Sequence, residues 1–467
     1  MLDALLACLP FELTDSQRRA LAEIQADLEG TKPMQRLLQG DVGSGKTVVA
    51  LAAMCQVVGA GHQAALLAPT EILAEQHAAS LGALLAPMRA QGVDVELRLL
   101  TGSTRAVVRR EVDAALRSGG PLIVVGTHAL LQDSVEFPDL GLVVVDEQHR
   151  FGVAQRDRLR RPSTAEGDGP HVPHQLVMTA TPIPRTVAMT VFGDLDETRM
   201  PGLPPGRSPV ATFLVDSANP AWMERLWQRA REEVDSGGRV YVVCPRIDEG
   251  DAVADAEGEG AATPPLASVR AVAEALRASG PLAGLGIHEL HGRMVATEKA
   301  QVMDDFAAGR APVVVATTVV EVGVDVPEAS MMVVLDAQQF GLSQLHQLRG
   351  RVGRSTRPSV CMAAHRHGIS EWSVERLRAF ASTTDGFELA DEDLRLRREG
   401  DVLGADQSGR TSGLRFLSVQ RDEAVIREAR EEASVVVGAD PDLSEHPELA
   451  GAVRARAGSD IVWMERS

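Results

Sequence analysis

Aromatic residues are scarce in this chain of 467 residues: they make up 3% of it, with a single tyrosine. Proteins that hold single strands by stacking successive bases need aromatic platforms, so an extensive surface of that kind is excluded. Cysteine is nearly as rare. Cys8, Cys55, Cys244 and Cys361 stand far apart, with no C-x-x-C pair and no metal-ligand spacing. That excludes a disulfide framework and predicts reduced, buried thiols in a cytosolic chain. No apolar run is long enough to cross a bilayer: Leu2 to Leu9 is short, lacks a basic flank and runs into Pro10. A membrane partner is therefore not expected, and a cytoplasmic location is. Basic charge is also in deficit, the formal net charge being −18. Binding to nucleic-acid phosphates is driven by Lys and Arg, so any such track must be a local groove. Asp248, Glu249, Asp251, Asp255, Glu257 and Glu259 share one Gly/Ala-rich stretch with no basic residue up to Val269. That stretch reads as a solvated insertion.

What is present is ample apolar material, 44% of the residues, in a chain too long for one ordinary core. The first block, residues 1–205, alternates apolar runs (Ala64 to Leu67, Leu122 to Val125, Leu142 to Val145, Gln175 to Met178) with helical stretches such as Glu71 to Leu85. Such alternation predicts α/β architecture, a parallel sheet covered by helices on both faces. After the Pro/Gly-rich linker from Pro201 to Gly206, residues 206–365 repeat the scheme with Arg239 to Val243, Gly286 to Leu290, Pro312 to Ala316 and Met331 to Leu335. Residues 366–467 are charged and mainly helical in pattern.

Two motifs in the first block carry chemistry. Gly40-Asp41-Val42-Gly43-Ser44-Gly45-Lys46-Thr47 satisfies G-x-x-x-x-G-K-[ST] between a short apolar run, Arg36 to Leu38, and a helix-forming one, Val48 to Leu51. Gly43 and Gly45 let the backbone curl so that N–H groups, Ser44 among them, face phosphate oxygens, and the helix amino terminus adds favourable charge. Lys46 is predicted to reach the β and γ phosphates of ATP, and Thr47 to ligate Mg²⁺. Val143-Val144-Val145-Asp146-Glu147 places two carboxylates at a strand exit, where ligands of parallel sheets sit. A lone acidic pair there would most often cap the following helix; with the loop upstream it becomes the acidic half of the ATP site. Asp146 is then the second metal ligand, and Glu147 orients or deprotonates the attacking water. The second block has no such loop, yet Gln347-Leu348-Arg349-Gly350-Arg351-Val352-Gly353-Arg354 presents two Gly-Arg steps. Arg351 and Arg354 are the candidates for stabilising charge on a transferring phosphoryl group, which predicts an ATP cleft between two lobes.

These motifs, with Met178-Thr179-Ala180-Thr181-Pro182 and Ala316-Thr317-Thr318 through Asp325, resemble the superfamily 2 helicase core in order and separation. The tail Gln148-His149-Arg150-Phe151-Gly152, the run Thr179 to Thr186 and the run Gln344 to Arg351 are similar to the RecG family, bacterial ATP-dependent helicases of branched DNA. The resemblance covers roughly residues 10 to 415 and implies two RecA-like lobes followed by a mainly helical region. It further implies that Gln17, with Phe11 and Thr14, reads the adenine edge. Thr14-Asp15-Ser16-Gln17 is equally a capping box opening the helix from Arg18 to Leu28, and the two roles are compatible. The resemblance gives Gln347 a catalytic part, and His149, Thr179 and Thr181 the coupling of nucleotide state to lobe closure. Thr70, Thr101 and Thr127 in the first lobe, and Thr317 and Thr318 in the second, occupy strand-tracking positions, where hydroxyls and helix amino termini hold phosphates without large positive charge.

Gly386 to Gly409 is similar to the translocation motif of the same family, with Gln407 as its DNA contact. Arg398-Glu399 stands where Gly-Pro is common, and Asp406 where an Arg often precedes the Gln; an acid at 406 repels phosphate and is assigned no contact. The first helicase motif begins by residue 11, with no all-β segment before it, so the family's fork-splitting wedge is not among these residues. Translocation is then expected to persist while fork unwinding and junction specificity suffer. The resemblance implies forked, four-way or duplex DNA as partner, single-strand-binding protein as a further one, and a monomer. Two other readings stand beside it: a duplex translocase of the transcription-repair-coupling type, and an ATP-gated DNA-binding module without strand displacement.

Overall fold

A computed structural model describes residues 1–132, 134–147, 172–180, 195–202, 209–248, 265–321, 326–396 and 422–464. The first lobe runs α1 (Leu2–Cys8), α2 (Asp15–Leu28), β1 (Gln35–Gly40), α3 (Lys46–Gly59), β2 (Gln63–Leu67), α4 (Glu71–Ala90), β3 (Leu97–Leu100), α5 (Ala106–Arg117), β4 (Ile123–Gly126), β5 (Leu140–Asp146), β6 (His174–Thr179) and β7 (Asp196–Met200). Its seven strands lie in the order β3-β4-β2-β5-β6-β1-β7, and every pair is parallel. Side chains alternate between the faces of a strand, so one core gathers Leu142 and Val144 with α2, α3 and α4, and the other gathers Val143 and Val145 with Val112 and Leu116 of α5. Burial on both faces explains why β5 is an unbroken apolar run instead of an alternating one.

The second lobe runs β8 (Val210–Asp216), α6 (Pro220–Asp235), β9 (Arg239–Val243), α7 (Val269–Ala278), β10 (Ile287–Leu290), α8 (Ala296–Ala308), β11 (Val313–Ala316), β12 (Ala329–Val334), α9 (Leu342–Arg349) and β13 (Ser359–His365). Its sheet has the order β10-β11-β9-β12-β13-β8, again all parallel. A helical hairpin, α10 (Glu371–Ser382) and α11 (Gly386–Leu396), packs on the second lobe: Phe380 and Leu389 join the core of Leu345, Leu348 and Cys361. Both lobes and the hairpin belong to one compact unit, and helices α12 (Glu423–Ala439) and α13 (Pro447–Met464) belong to another. Cys55, Cys244 and Cys361 are buried, and burial pushes the Cys55 and Cys361 thiols up to about 12, leaving them inert at neutral pH. No helix among the described residues is long and apolar enough to cross a membrane.

Candidate nucleotide site and its interlobe contacts

Strand order alone assembles the site. β5, β6 and β1 are neighbours, with Asp146 opposite Met178 and Gln39 opposite Thr179. Their carboxyl ends therefore set Asp146 and Glu147, Thr179 and Ala180, and the loop from Gly40 along one sheet edge. On the other half of that edge, β3, β4 and β2 are in register at Leu100, Gly126 and Leu67, which brings Thr101, Thr127 and Thr70 together.

The loop from Gly40 to Thr47 curls as its glycines predict. Gly43 and Gly45 hold φ of 79° and 88°, in the region that side chains disfavour. A Cβ on Gly45 would come within 2.2 Å of the Gln17 amide nitrogen, and one on Gly40 within 2.6 Å of Ser44 Oγ. Gly45 caps α3 with no side-chain acceptor; of the nearby amides, Ser44 N turns back to Asp41 O and Val48 N to Gly45 O. Ser44 Oγ is buried and has no hydrogen-bond partner among the described residues. Lys46, 8% exposed, donates from Nζ to the carbonyls of Gly40 (2.6 Å) and Asp41 (2.9 Å). Burial drives its pKa below the usual lysine value, opposed by Glu147, Asp146 and Asp41, while Arg354 acts with burial. Carboxylates of one lobe and a guanidinium of the other thus converge electrostatically on one amine.

The acidic pair is held firmly. Glu147 sits in the left-handed region, with φ of 53°, a conformation that costs roughly 1 kcal/mol or more in a residue with a side chain. Its amide donates to Met178 O at 3.0 Å, and its Oε1 accepts from Ala180 N at 3.3 Å. Asp146 Oδ2 accepts from His77 Nε2 of α4 at 2.8 Å, a partner that the sequence motifs did not indicate. Thr47 is half-buried on the first turn of α3.

Thr14 and Gln17 form the predicted capping box, with Thr14 N donating to Gln17 Oε1 (2.9 Å) and Gln17 N to Thr14 Oγ1 (3.2 Å). The same Gln17 donates from Nε2 to Ser44 O at 2.9 Å, tying α2 to the loop. Phe11 is exposed beside it. From the second lobe, Gln347 is buried on α9, and Gly350 abuts the loop so closely that a Cβ there would lie 2.7 Å from Val42 Cβ. Arg354 Nε donates to Gly350 O at 3.2 Å; Arg351 follows α9, its amide donating to Leu348 O.

Two further residues lie inside the run from Gln344 to Arg351 but are given no role by the sequence. His346 Nε2 donates to Asp41 Oδ1 at 2.9 Å across the lobes, and Arg349 donates to His346 Nδ1 at 2.9 Å. Burial raises the Asp41 pKa, but the His346 contact and the Gly386 amide outweigh it and hold the carboxyl below its ordinary value. A spacing of three on a helix places His346 and Arg349 on one face, the only hint available beforehand.

Among the strand-tracking candidates, Thr70 caps α4 by accepting from Leu73 N, Thr127 caps a short turn by accepting from Ala129 N, and the Thr101 hydroxyl bonds to Ser103 and Thr104. Thr101 and Thr127 are buried. Thr317 and Thr318 follow β11, half-buried, with Thr317 N donating to Leu290 O. His149, Thr181 and Gln407 lie outside the described residues, as do Gln148 to Gly152, Arg398-Glu399 and Asp406.

Two parallel α/β lobes, with a G-x-x-x-x-G-K-[ST] loop in the first, are the architecture of a superfamily 2 helicase core. A DEAD/DEAH box helicase model matches residues 14–190 and a helicase conserved C-terminal domain model residues 223–356. The model for ATP-dependent DNA helicase RecG, domain 3, C-terminal, matches residues 383–455. The chain is 51% identical over 436 residues to the ATP-dependent DNA helicase RecG of Mycobacterium tuberculosis, an alignment covering 91% of this chain and 58% of that protein. Against the RecG of Acidithiobacillus ferridurans it is 44% identical, covering 97% of this chain and 61% of the relative. A structure of RecG bound to a three-way DNA junction superposes with a TM-score of 0.70 at 38% identity, covering 91% of this chain and 51% of that one. The chain belongs to the RecG family, and its two sheets are the family's RecA-like lobes. It spans a little over half the length of these relatives.

Proposed function

We propose that this chain is the ATP-hydrolysing motor of a RecG-type helicase that moves on duplex DNA and remodels branched DNA. The observation that carries the reading is geometric: the loop with its buried Lys46 and the acidic pair Asp146-Glu147 lie on one sheet edge, and Gly350 of the second lobe abuts that loop at Val42. In this reading Gly40, Gly43, Ser44, Gly45 and Lys46 cradle the ATP phosphates, and the buried Ser44 Oγ and the uncapped start of α3 suit an anion. Gln17 links the adenine side to the loop. Thr47 and Asp146 hold Mg²⁺, which supplies charge neutralisation on the phosphates; their hydroxyl and carboxylate oxygens are the hard donors this ion takes. Glu147 orients and deprotonates the water, and Arg351, Arg354 and Gln347 act on the transferring group. Thr179, with His149 and Thr181, couples nucleotide state to closure.

Residues 1–205 and 206–365 act as the two lobes, with residues 366–467 as the translocation region. Forks and Holliday junctions are the proposed substrates, the partner class being that of the RecG bound to a three-way junction. Thr70, Thr101, Thr127, Thr317, Thr318 and Gln407 line the proposed DNA track. The buried Thr101 and Thr127 contribute by shaping the turns that present backbone amides. Single-strand-binding protein as a partner, a monomeric state and a cytoplasmic location complete the proposal.

The test is ATP hydrolysis by the purified chain at low salt, with and without a synthetic fork or duplex, run beside strand displacement. Stimulation by DNA is expected, weakening steeply as salt rises. An ATPase indifferent to both DNAs would overturn the substrate assignment, and stimulation without displacement would identify a motor that translocates but does not unwind. The His77 contact makes a narrower prediction. Metal-binding carboxylates depend on the partners that orient them, whose loss costs roughly 10–100-fold in metal affinity. His77→Ala should therefore weaken Mn²⁺ binding to the nucleotide complex by about tenfold in a spin-resonance titration. An unchanged titration would leave His77 a packing residue.

A further inference from the structure

We propose that Arg270 and Arg293 form a phosphate site on the second lobe's DNA track, and that Asp248 occupies it as an internal stand-in which DNA must displace. The inference rests on the reading of Thr317 and Thr318 as part of that track, and it adds a competitor for the same place. Asp248 Oδ1 lies 3.1 Å from a guanidinium nitrogen of Arg270, and Oδ2 accepts from Arg293 at 2.7 Å. Neither arginine has a part in the ATP site.

Strand order gives this contact its place. β10, β11 and β9 are neighbours, with Leu290, Ala316 and Val243 in register at their carboxyl ends. Arg293 follows β10, Thr317 and Thr318 follow β11, and Asp248 follows β9. Neighbouring strands stand about 4.8 Å apart, so an ion pair from the end of β9 to the end of β10 has to cross the end of β11 between them. It spans the edge from which Thr317 and Thr318 emerge, where Thr317 N is held on Leu290 O at 3.1 Å.

Charge explains why a carboxylate sits there and why a phosphate would replace it. Arg270 is in the first turn of α7, where the helix dipole disfavours a cation. The amides of Val269 and Arg270 bond to the carbonyls of Arg246 and Ile247, which keeps Asp248 at the mouth of that helix. Lys299 Nζ donates to Gly292 O at 3.2 Å, bringing a third cation beside Arg293. In a chain of net charge −18, three cations on one sheet edge are the local basic track that phosphate binding requires. The side chains of Arg270 and Arg293 are 59% and 55% exposed, and a Cβ on Gly292 would meet nothing within 4 Å, so a strand has room to reach them. Guanidinium groups bind carboxylate and phosphate alike, and an exposed ion pair is weak enough to be exchanged.

The experiment is equilibrium binding of a fluorescein-labelled duplex by the full chain, read by anisotropy at about 50 mM and about 200 mM salt. Asp248→Asn should tighten binding about fivefold at the lower salt, and the gain should shrink at the higher, because salt screens the ion pair that the substitution removes. Arg270→Gln together with Arg293→Gln should weaken binding about fivefold or more and flatten its salt dependence. Removing any acid favours DNA through the overall field, so the deciding measurement is Asp248→Asn in the background that lacks both arginines, where the gain should vanish. A gain that survived without the arginines would overturn the proposal and leave the track reading intact, as would an Asp248→Asn chain that bound no better than the unsubstituted one. Duplex binding unchanged by loss of the two arginines would overturn it too. An unsubstituted chain that bound no duplex at either salt would bring down the DNA reading with it.

Discussion

Lys46→Ala and Glu147→Gln should each abolish ATP turnover, and they should do so differently. In the proposed reading Lys46 is the cation for the β and γ phosphates; in the structure it is held on the carbonyls of Gly40 and Asp41. Removing an electrostatic stabiliser of this kind typically costs about 10²–10³ in rate, and because Lys46 also holds ground-state phosphates, nucleotide affinity should fall with it. Glu147→Gln is nearly isosteric and keeps the amide-oxygen acceptor for Ala180 N, so the backbone at 147 has no reason to move. It loses only basicity, for which roughly 10²–10⁴ in kcat is expected, with nucleotide binding preserved. Single-turnover hydrolysis beside equilibrium binding of a fluorescent ATP analogue separates the two. A Glu147→Gln variant that turned over at the normal rate would remove Glu147 from the chemistry, and an unaltered Lys46→Ala affinity would remove Lys46 from the phosphates.

The parts of this site that were legible beforehand are those written in local pattern. Gly43 and Gly45 are required by backbone geometry at those two positions. Thr14 and Gln17 announce a capping box by their spacing, and β5 is legible because a strand buried on both faces must be an unbroken apolar run. The acidic pair was legible as chemistry only once the loop was found, since strand exits end in acids for many reasons. What was not legible depends on which strands and helices become neighbours. His77 meets Asp146 because α4, packed on β3 and β4, reaches the carboxyl end of β5, and no spacing between residues 69 apart could say so. The Asp41 and His346 contact joins residues 305 apart; neither is demanded by a motif, and only the seating of the second lobe on the loop brings them together. Thr101 and Thr127 show the converse: the resemblance implies a DNA-tracking role for them, while the burial of their hydroxyls follows from turns that the sequence pattern does not specify. Local rules therefore proposed the catalytic candidates, and tertiary contacts supply the neighbours that hold them.

Alanine at Arg354, or at Arg351, should lower kcat by about 10³ while leaving KM for ATP within a few fold, the signature of an interaction made in the transition state only. Arg354 belongs to the lobe that has no phosphate loop, and its Nε is bonded to the carbonyl of Gly350, the residue that abuts the loop at Val42. In a low-dielectric cleft, bringing a second cation towards Lys46 is unfavourable until an anion of growing charge lies between them. The transferring phosphoryl group meets that condition, whereas bound ATP is already served by the loop. The same repulsion predicts that Arg354→Ala relieves Lys46, so nucleotide affinity should hold or rise slightly even as turnover collapses. Arg354→Lys should not restore the rate, because a point charge on a flexible stem does not reproduce the planar fork of a guanidinium. If the loss appeared in KM instead of kcat, Arg354 would be a ground-state binding residue, and the part of the arginine finger would fall to Arg351 alone.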